Sequence, residues 1–155
     1  MQLVVLVGVQ ASGKSTFYRE RFAATHAHVS LDVLGTRHRE AARFREHLEA
    51  GMKIVIDNTS PMPLDRARFV PLALERGYEA HAYFFQTELE DALARNRLRE
   101  GKARVPDMAV LGTHKKLVAP AREEGFAKLF VVRLVPDRGF VVTSTRTIAR
   151  SGPAQ

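Results

Sequence analysis

Cysteine is absent from the 155-residue chain, so disulfides and thiolate metal sites are both excluded. No apolar run is longer than about five residues, far short of the ~20 that a membrane-spanning helix needs. The first residues show no basic region leading into an apolar core and cleavage site, so no secretory signal is read there and a cytoplasmic protein is expected. No repeat, linker or low-complexity block divides the chain. A single domain over residues 1–155 is therefore expected, with 136–155 read as a C-terminal extension. The six histidines occur without cysteine and without a His/carboxylate helix pair, so they read as structural or solvent-exposed.

What is present is a basic, soluble composition. Lysine and arginine number 24 against 17 acids, a net charge of +7, and 45% of residues are apolar. Such a balance suits polyanionic partners such as nucleic acid, or is simply a basic surface. Arg95, Arg97, Arg99, Lys102 and Arg104 form one cluster, and Arg37, Arg39, Arg43 and Arg45 a second.

The most specific stretch is Gly8-Val9-Gln10-Ala11-Ser12-Gly13-Lys14-Ser15, which matches G-x-x-x-x-G-K-[ST], the phosphate-binding P-loop. Leu3–Val7 before it is an apolar, β-branched run suited to a buried parallel strand. The residues after it lack Gly and Pro and can run as a helix. Gly8 and Gly13 let the backbone turn tightly against phosphate oxygens, and the helix start aims its positive end at them. Lys14 supplies a point charge for the β- and γ-phosphates, and Ser15 a hydroxyl for Mg²⁺. Gly8, Ala11, Ser12, Gly13, Lys14, Ser15 and Thr16 are thus the expected ATP-binding residues.

The rest of the chain alternates strands and helices. Strands are predicted at 28–31, 52–57, 78–85 and 128–134, and helices at 33–50, 64–76, 89–99 and 106–118. Residues 139–143 could add a short edge strand. This pattern implies a parallel sheet flanked by helices, with ligands at the C-terminal strand ends. Asp32 and Asp57 fall on that edge. Asp57 closes an apolar strand and could hold Mg²⁺ or cap the turn with Asn58 and Thr59. Asp32 could orient a hydroxyl nucleophile and take its proton, or cap the next helix, or both. Arg95 and Arg99, four apart, would share a helix face, either as a lid over phosphates or as a solvated basic face.

Several of these segments resemble the 5′-hydroxyl kinase domain of polynucleotide kinases. They are Val29-Ser30-Leu31-Asp32-Val33-Leu34-Gly35, Ile56-Asp57-Asn58-Thr59-Ser60-Pro61 with Arg66–Val70 after it, Arg95–Arg99 with Lys102–Pro106, and Ala119-Pro120 with Glu124-Gly125-Phe126. The likeness runs in register over roughly residues 3–135. It implies an AAA-type ATP-binding kinase with a five-stranded parallel sheet and a basic lid. It also implies Asp32 as the base for a 5′-OH, Lys14 and Ser15 as the P-loop pair, Arg99 as the lid arginine on the donor phosphates and Arg95 beside it. The family often has Asn and Arg before its base where this chain has Ser30 and Leu31. Its acceptor-phosphate arginine has Arg37 and Arg39 as nearest counterparts. The implied partners are ATP, Mg²⁺ and a single-stranded or end-frayed nucleic acid with a 5′-OH. The alternatives are a kinase of a small hydroxyl compound or a non-catalytic ATP-binding module.

Overall fold

The computed structural model describes residues 1–149; the end of the predicted extension 136–155, from residue 150 on, lies outside them. Six strands form one sheet in the order β2-β3-β1-β4-β5-β6. They are β1 Gln2–Val7, β2 Ala27–Val29, β3 Ile54–Asp57, β4 Glu79–Phe85, β5 Phe126–Val135 and β6 Gly139–Thr145. The first five are parallel, as expected, and β6 is an added antiparallel edge strand. Positive φ at Asp137 and Gly139 turns the chain back, so that Val135 faces Gly139 in the hairpin.

The unbroken apolar run of β1 follows from its central place. Leu3, Val5 and Val7 enter one core with Phe44, Phe69 and Ala73, while Val4 and Leu6 enter the other with Phe17 and Phe85. Both faces are covered, so there is no polar alternation. The helix α1, Lys14–Arg21, lies on the second face, where the Phe17 ring meets Phe85 and Phe140 edge-on at 5.2 Å. Phe140 on β6 thereby seals the sheet edge over the P-loop helix.

Two long predicted helices are broken, each for a local reason. The segment 33–50 becomes α2, Leu31–Leu34, and α3, Arg37–Glu49. Gly35 sits at φ 88° between them, and Thr36 caps α3 by accepting from Arg39 N at 3.1 Å. Asp32 therefore stands in the first turn of a short helix rather than at a strand tip, since β2 ends at Val29. The segment 64–76 splits into α4, Pro63–Arg66, and α5, Val70–Glu75. Pro71 has no N–H for the carbonyl four residues back and its ring crowds that carbonyl. α6, Leu89–Leu98, and α7, Asp107–Lys116, follow, joined by a 3₁₀ turn at Gly101–Ala103. Both are anchored beside the P-loop, where Val9, Ala92 and Val110 form a third small core.

Candidate active site

The site grows from the turn between β1 and α1. A side chain at Gly8 would stand 2.9 Å from Phe85 Cβ, and one at Gly13, whose φ is 97°, would stand 2.9 Å from the Phe140 ring. Both positions therefore need glycine. Ala11 adopts φ 61°, a left-handed conformation that costs an L-residue about 1–2 kcal/mol and is typical of strained functional loops. Gly8 N donates to Thr59 O at 3.0 Å, tying the loop to the turn after β3.

Lys14 is buried, 8% exposed, and its ammonium donates to Gly8 O at 2.8 Å, Val9 O at 2.6 Å and Ser12 Oγ at 3.3 Å. Burial lowers its pKa from 10.5 to about 8; Asp57 and Asp32 push back upward, while Arg99 adds to the lowering. The two acids and the arginine singled out from the sequence thus all act on this one ammonium.

Ser15 donates its hydroxyl to Asp57 Oδ2 at 2.9 Å, across 42 residues of chain. These are hard oxygen donors, the kind Mg²⁺ prefers. Among the described residues no three His, Cys, Asp or Glu side chains converge as a metal cage. A cation that keeps several waters and phosphate oxygens while using one or two protein ligands fits such a pair.

Three adjoining cavities surround these groups. The largest, about 590 Å³, is lined by the loop, Asp32, Asp57, Arg99 and Lys102. A second, about 190 Å³, shares Asp32, Asn58 and Thr59 with it and adds Arg37, Asp65 and Phe69. A third, about 310 Å³, shares Arg99 and Thr16 with the first and adds Arg95 and Phe140. Asp32 and Arg99 are therefore the charged side chains at the two boundaries between neighbouring compartments. Arg99 is exposed and lies one residue past α6, in extended conformation, rather than on the face of Arg95. Arg95 reaches Ala11 O at 3.4 Å from within the helix. Of the two acceptor candidates, Arg37 lines the 190 Å³ cavity; Arg39 lies exposed on α3 and lines none of the three.

The contacts of Asn58, Glu40, His28 and the Arg66–Glu124 pair escaped the sequence reading. Asn58 accepts from Leu31 N at 2.9 Å and donates to Glu40 Oε2 at 2.7 Å. Glu40, only 2% exposed, also holds Arg37 at 2.9 Å through Oε1. The pair thus fixes both the helix carrying Asp32 and the arginine beside it. His28, read as structural or exposed, lies with Nε2 2.8 Å from Asp57 Oδ2. Behind the site the fully buried Arg66 forms a bidentate pair with Glu124 at 2.7 and 2.9 Å and donates to Ser60 O and Val118 O. It clamps the strained turn at Ser60, φ 45°, to the approach to β5. A partial signal for these existed in the chain itself, because Asn58, Arg66 and Glu124 lie in segments that carry the family likeness.

Known proteins match this arrangement. A family model described as an AAA domain matches residues 3–123. A curated relative from Schizosaccharomyces pombe, named bifunctional polynucleotide phosphatase/kinase, is 28% identical over 83% of this chain and 32% of its own length. A second, provisionally given the same name, from Acanthamoeba polyphaga mimivirus, is 28% identical over 90% of this chain and 35% of its own. The chain thus spans about a third of the length of the curated relatives it matches. A solved gluconokinase from Sinorhizobium meliloti shares the fold, with a TM-score of 0.60 at 16% identity over 85% of this chain and 82% of its own. The likeness to polynucleotide kinases read from the sequence is borne out, and the chain belongs to the AAA domain family, with a P-loop kinase fold.

Proposed function

We propose that the protein transfers the γ-phosphoryl group of ATP to the 5′-hydroxyl of a polynucleotide. One observation carries the reading: Asp32 is the one charged side chain that lines both the phosphate cleft and the smaller cavity containing Arg37. A hydroxyl in the smaller cavity would meet a carboxylate on its way to the γ-phosphorus. Asp32 accepts the hydroxyl proton as the oxygen bonds to phosphorus, and the bond to the ADP oxygen breaks. Lys14, the loop amides and Arg99 supply fixed positive charge to the oxygens that gain it. Ser15 and Asp57 would hold Mg²⁺, which when bound supplies further charge neutralisation at the β- and γ-phosphates.

The acceptor cavity, about 190 Å³, is small. Pockets that enclose a whole drug-sized ligand start at ~300 Å³. It suits one terminal sugar, with the rest of the strand on the basic surface outside. Its size also favours the second reading, a small sugar or nucleoside acceptor. The curated relatives named polynucleotide phosphatase/kinase support the first reading, and the gluconokinase of the same fold keeps the second in view.

The test is transfer of labelled γ-phosphate to 5′-OH DNA, 5′-OH RNA, nucleosides and sugars, repeated at rising salt. Label on oligonucleotides, with acceptor affinity falling steeply with salt, is expected. Label on small acceptors alone would overturn the proposal. ATP binding with no transfer to any acceptor would instead favour a non-catalytic nucleotide-binding module.

A further inference from the structure

Asp57 is held from two sides. Its Oδ2 accepts the Ser15 hydroxyl at 2.9 Å and lies 2.8 Å from His28 Nε2, while among the described residues no protein donor reaches Oδ1. His28 stands on β2, opposite Val55 of β3. Its ring is itself fixed by stacking on Tyr18, with centroids 4.2 Å apart and planes at 25°. Tyr18 lies on α1, close behind Ser15, and donates its hydroxyl to His26 O at 3.0 Å. The imidazole is therefore braced between the edge strand and the P-loop helix, aimed at one oxygen of one carboxylate.

A carboxylate bonded through a single oxygen to a single hydroxyl can still turn about its last torsion, which is broad and roughly two-fold. A second donor on the same oxygen, from a different direction, removes that freedom. The Ser15 hydroxyl can keep donating its hydrogen to Asp57 while its lone pairs face a cation. We propose that His28 is a positioning residue for the divalent-cation site. Its N–H on Oδ2 sets the Asp57 carboxylate so that Oδ1 and Ser15 Oγ face the cation that accompanies the nucleotide. This rests on the reading of Ser15 and Asp57 as the cation-holding pair, and goes beyond it by assigning the residue that orients them. Partners of this outer kind typically change metal affinity by about 10- to 100-fold.

The experiment is a titration of a fluorescent, non-hydrolysable ATP analogue into the full chain, at a series of Mg²⁺ concentrations and in EDTA. Three variants are compared with the wild type. His28→Phe keeps a ring for Tyr18 but has no N–H; His28→Ala removes both; His28→Gln restores a donor. The wild type should bind more tightly as Mg²⁺ rises. His28→Phe and His28→Ala should need roughly tenfold more Mg²⁺ for the same gain. Their affinity in EDTA should match the wild type, and His28→Gln should recover part of the loss. A role in packing alone would change thermal stability and leave the Mg²⁺ dependence in place. If Mg²⁺ does not tighten wild-type binding, the reading of Ser15 and Asp57 falls and this proposal with it. If the wild type responds and His28→Phe responds at the same Mg²⁺ concentration, the role of His28 alone is overturned.

Discussion

The buried ammonium of Lys14 makes nucleotide binding a proton-linked event. Its pKa in the free protein is lowered from 10.5 to about 8, chiefly by burial. That difference corresponds to roughly 3 kcal/mol against the charged form. The sign follows from the folded value lying below the unfolded one. Below pH 8 the ammonium is charged in both states, and the cost of burying it is fully present. Between about 8 and 10.5 the folded state sheds the proton first, so stability of the free protein rises with pH in that window. Nucleotide binding runs the other way. A polyphosphate beside Lys14 favours the ammonium, so affinity should fall by up to about tenfold per pH unit above 8. Calorimetry of the ATP analogue in two buffers of different ionisation enthalpy reads this directly. Proton uptake attributable to Lys14 should be near zero at pH 6.5, about half a proton at pH 8 and close to one at pH 9, as follows from a pKa of about 8. Lys14→Met should abolish that pH-dependent uptake along with much of the affinity. Uptake that stays at zero through pH 9 in the wild type would refute the placement of a destabilised charge in the loop.

Asn58→Ala removes the amide joining Leu31 N to Glu40, which should lower kcat/KM for the acceptor by about 10- to 100-fold through misplacement of Asp32. ATP affinity should stay within about twofold of wild type, because Asn58 bonds no P-loop atom; equal losses toward both substrates in steady-state kinetics would contradict this. Arg66→Met strands a mostly buried carboxylate at Glu124 and two carbonyls, so urea unfolding should show a loss of roughly 3–5 kcal/mol. Adding Glu124→Gln should recover part of it, and a single variant as stable as wild type would remove the clamp from the account.

What could be read from the chain depended on how local the information was. Gly8–Ser15 carries its turn, its positive φ at Gly13 and its lysine in one contiguous stretch, so the donor half of the site was legible. Asp57 was legible because it closes an apolar strand next in the sheet to β1. The contacts of His28 and Glu40 were not. His28 meets Asp57 only because β2 pairs with β3 rather than with β1, and strand order does not follow sequence order. In the sequence Glu40 is one acid among Arg37, Arg39, Arg43 and Arg45, with nothing local to mark it as buried. Its burial depends on Asn58 arriving from another element to satisfy it. The break at Gly35 is hard to see because Leu34, Ala41, Phe44 and Leu48 keep helical spacing across it. The antiparallel β6 alternates half-buried and exposed residues at the sheet edge, the weaker pattern of a strand covered on one side.

The central claim is that Asp32 activates a 5′-hydroxyl standing between Arg37 and the phosphates that Lys14 holds. The most direct measurement is single-turnover transfer from labelled ATP to a 5′-OH oligonucleotide, wild type against Asp32→Ala, with ATP affinity measured alongside. ATP affinity should be unchanged and the transfer rate lower by about 10²- to 10⁴-fold in the variant. Transfer by Asp32→Ala at the wild-type rate would contradict it.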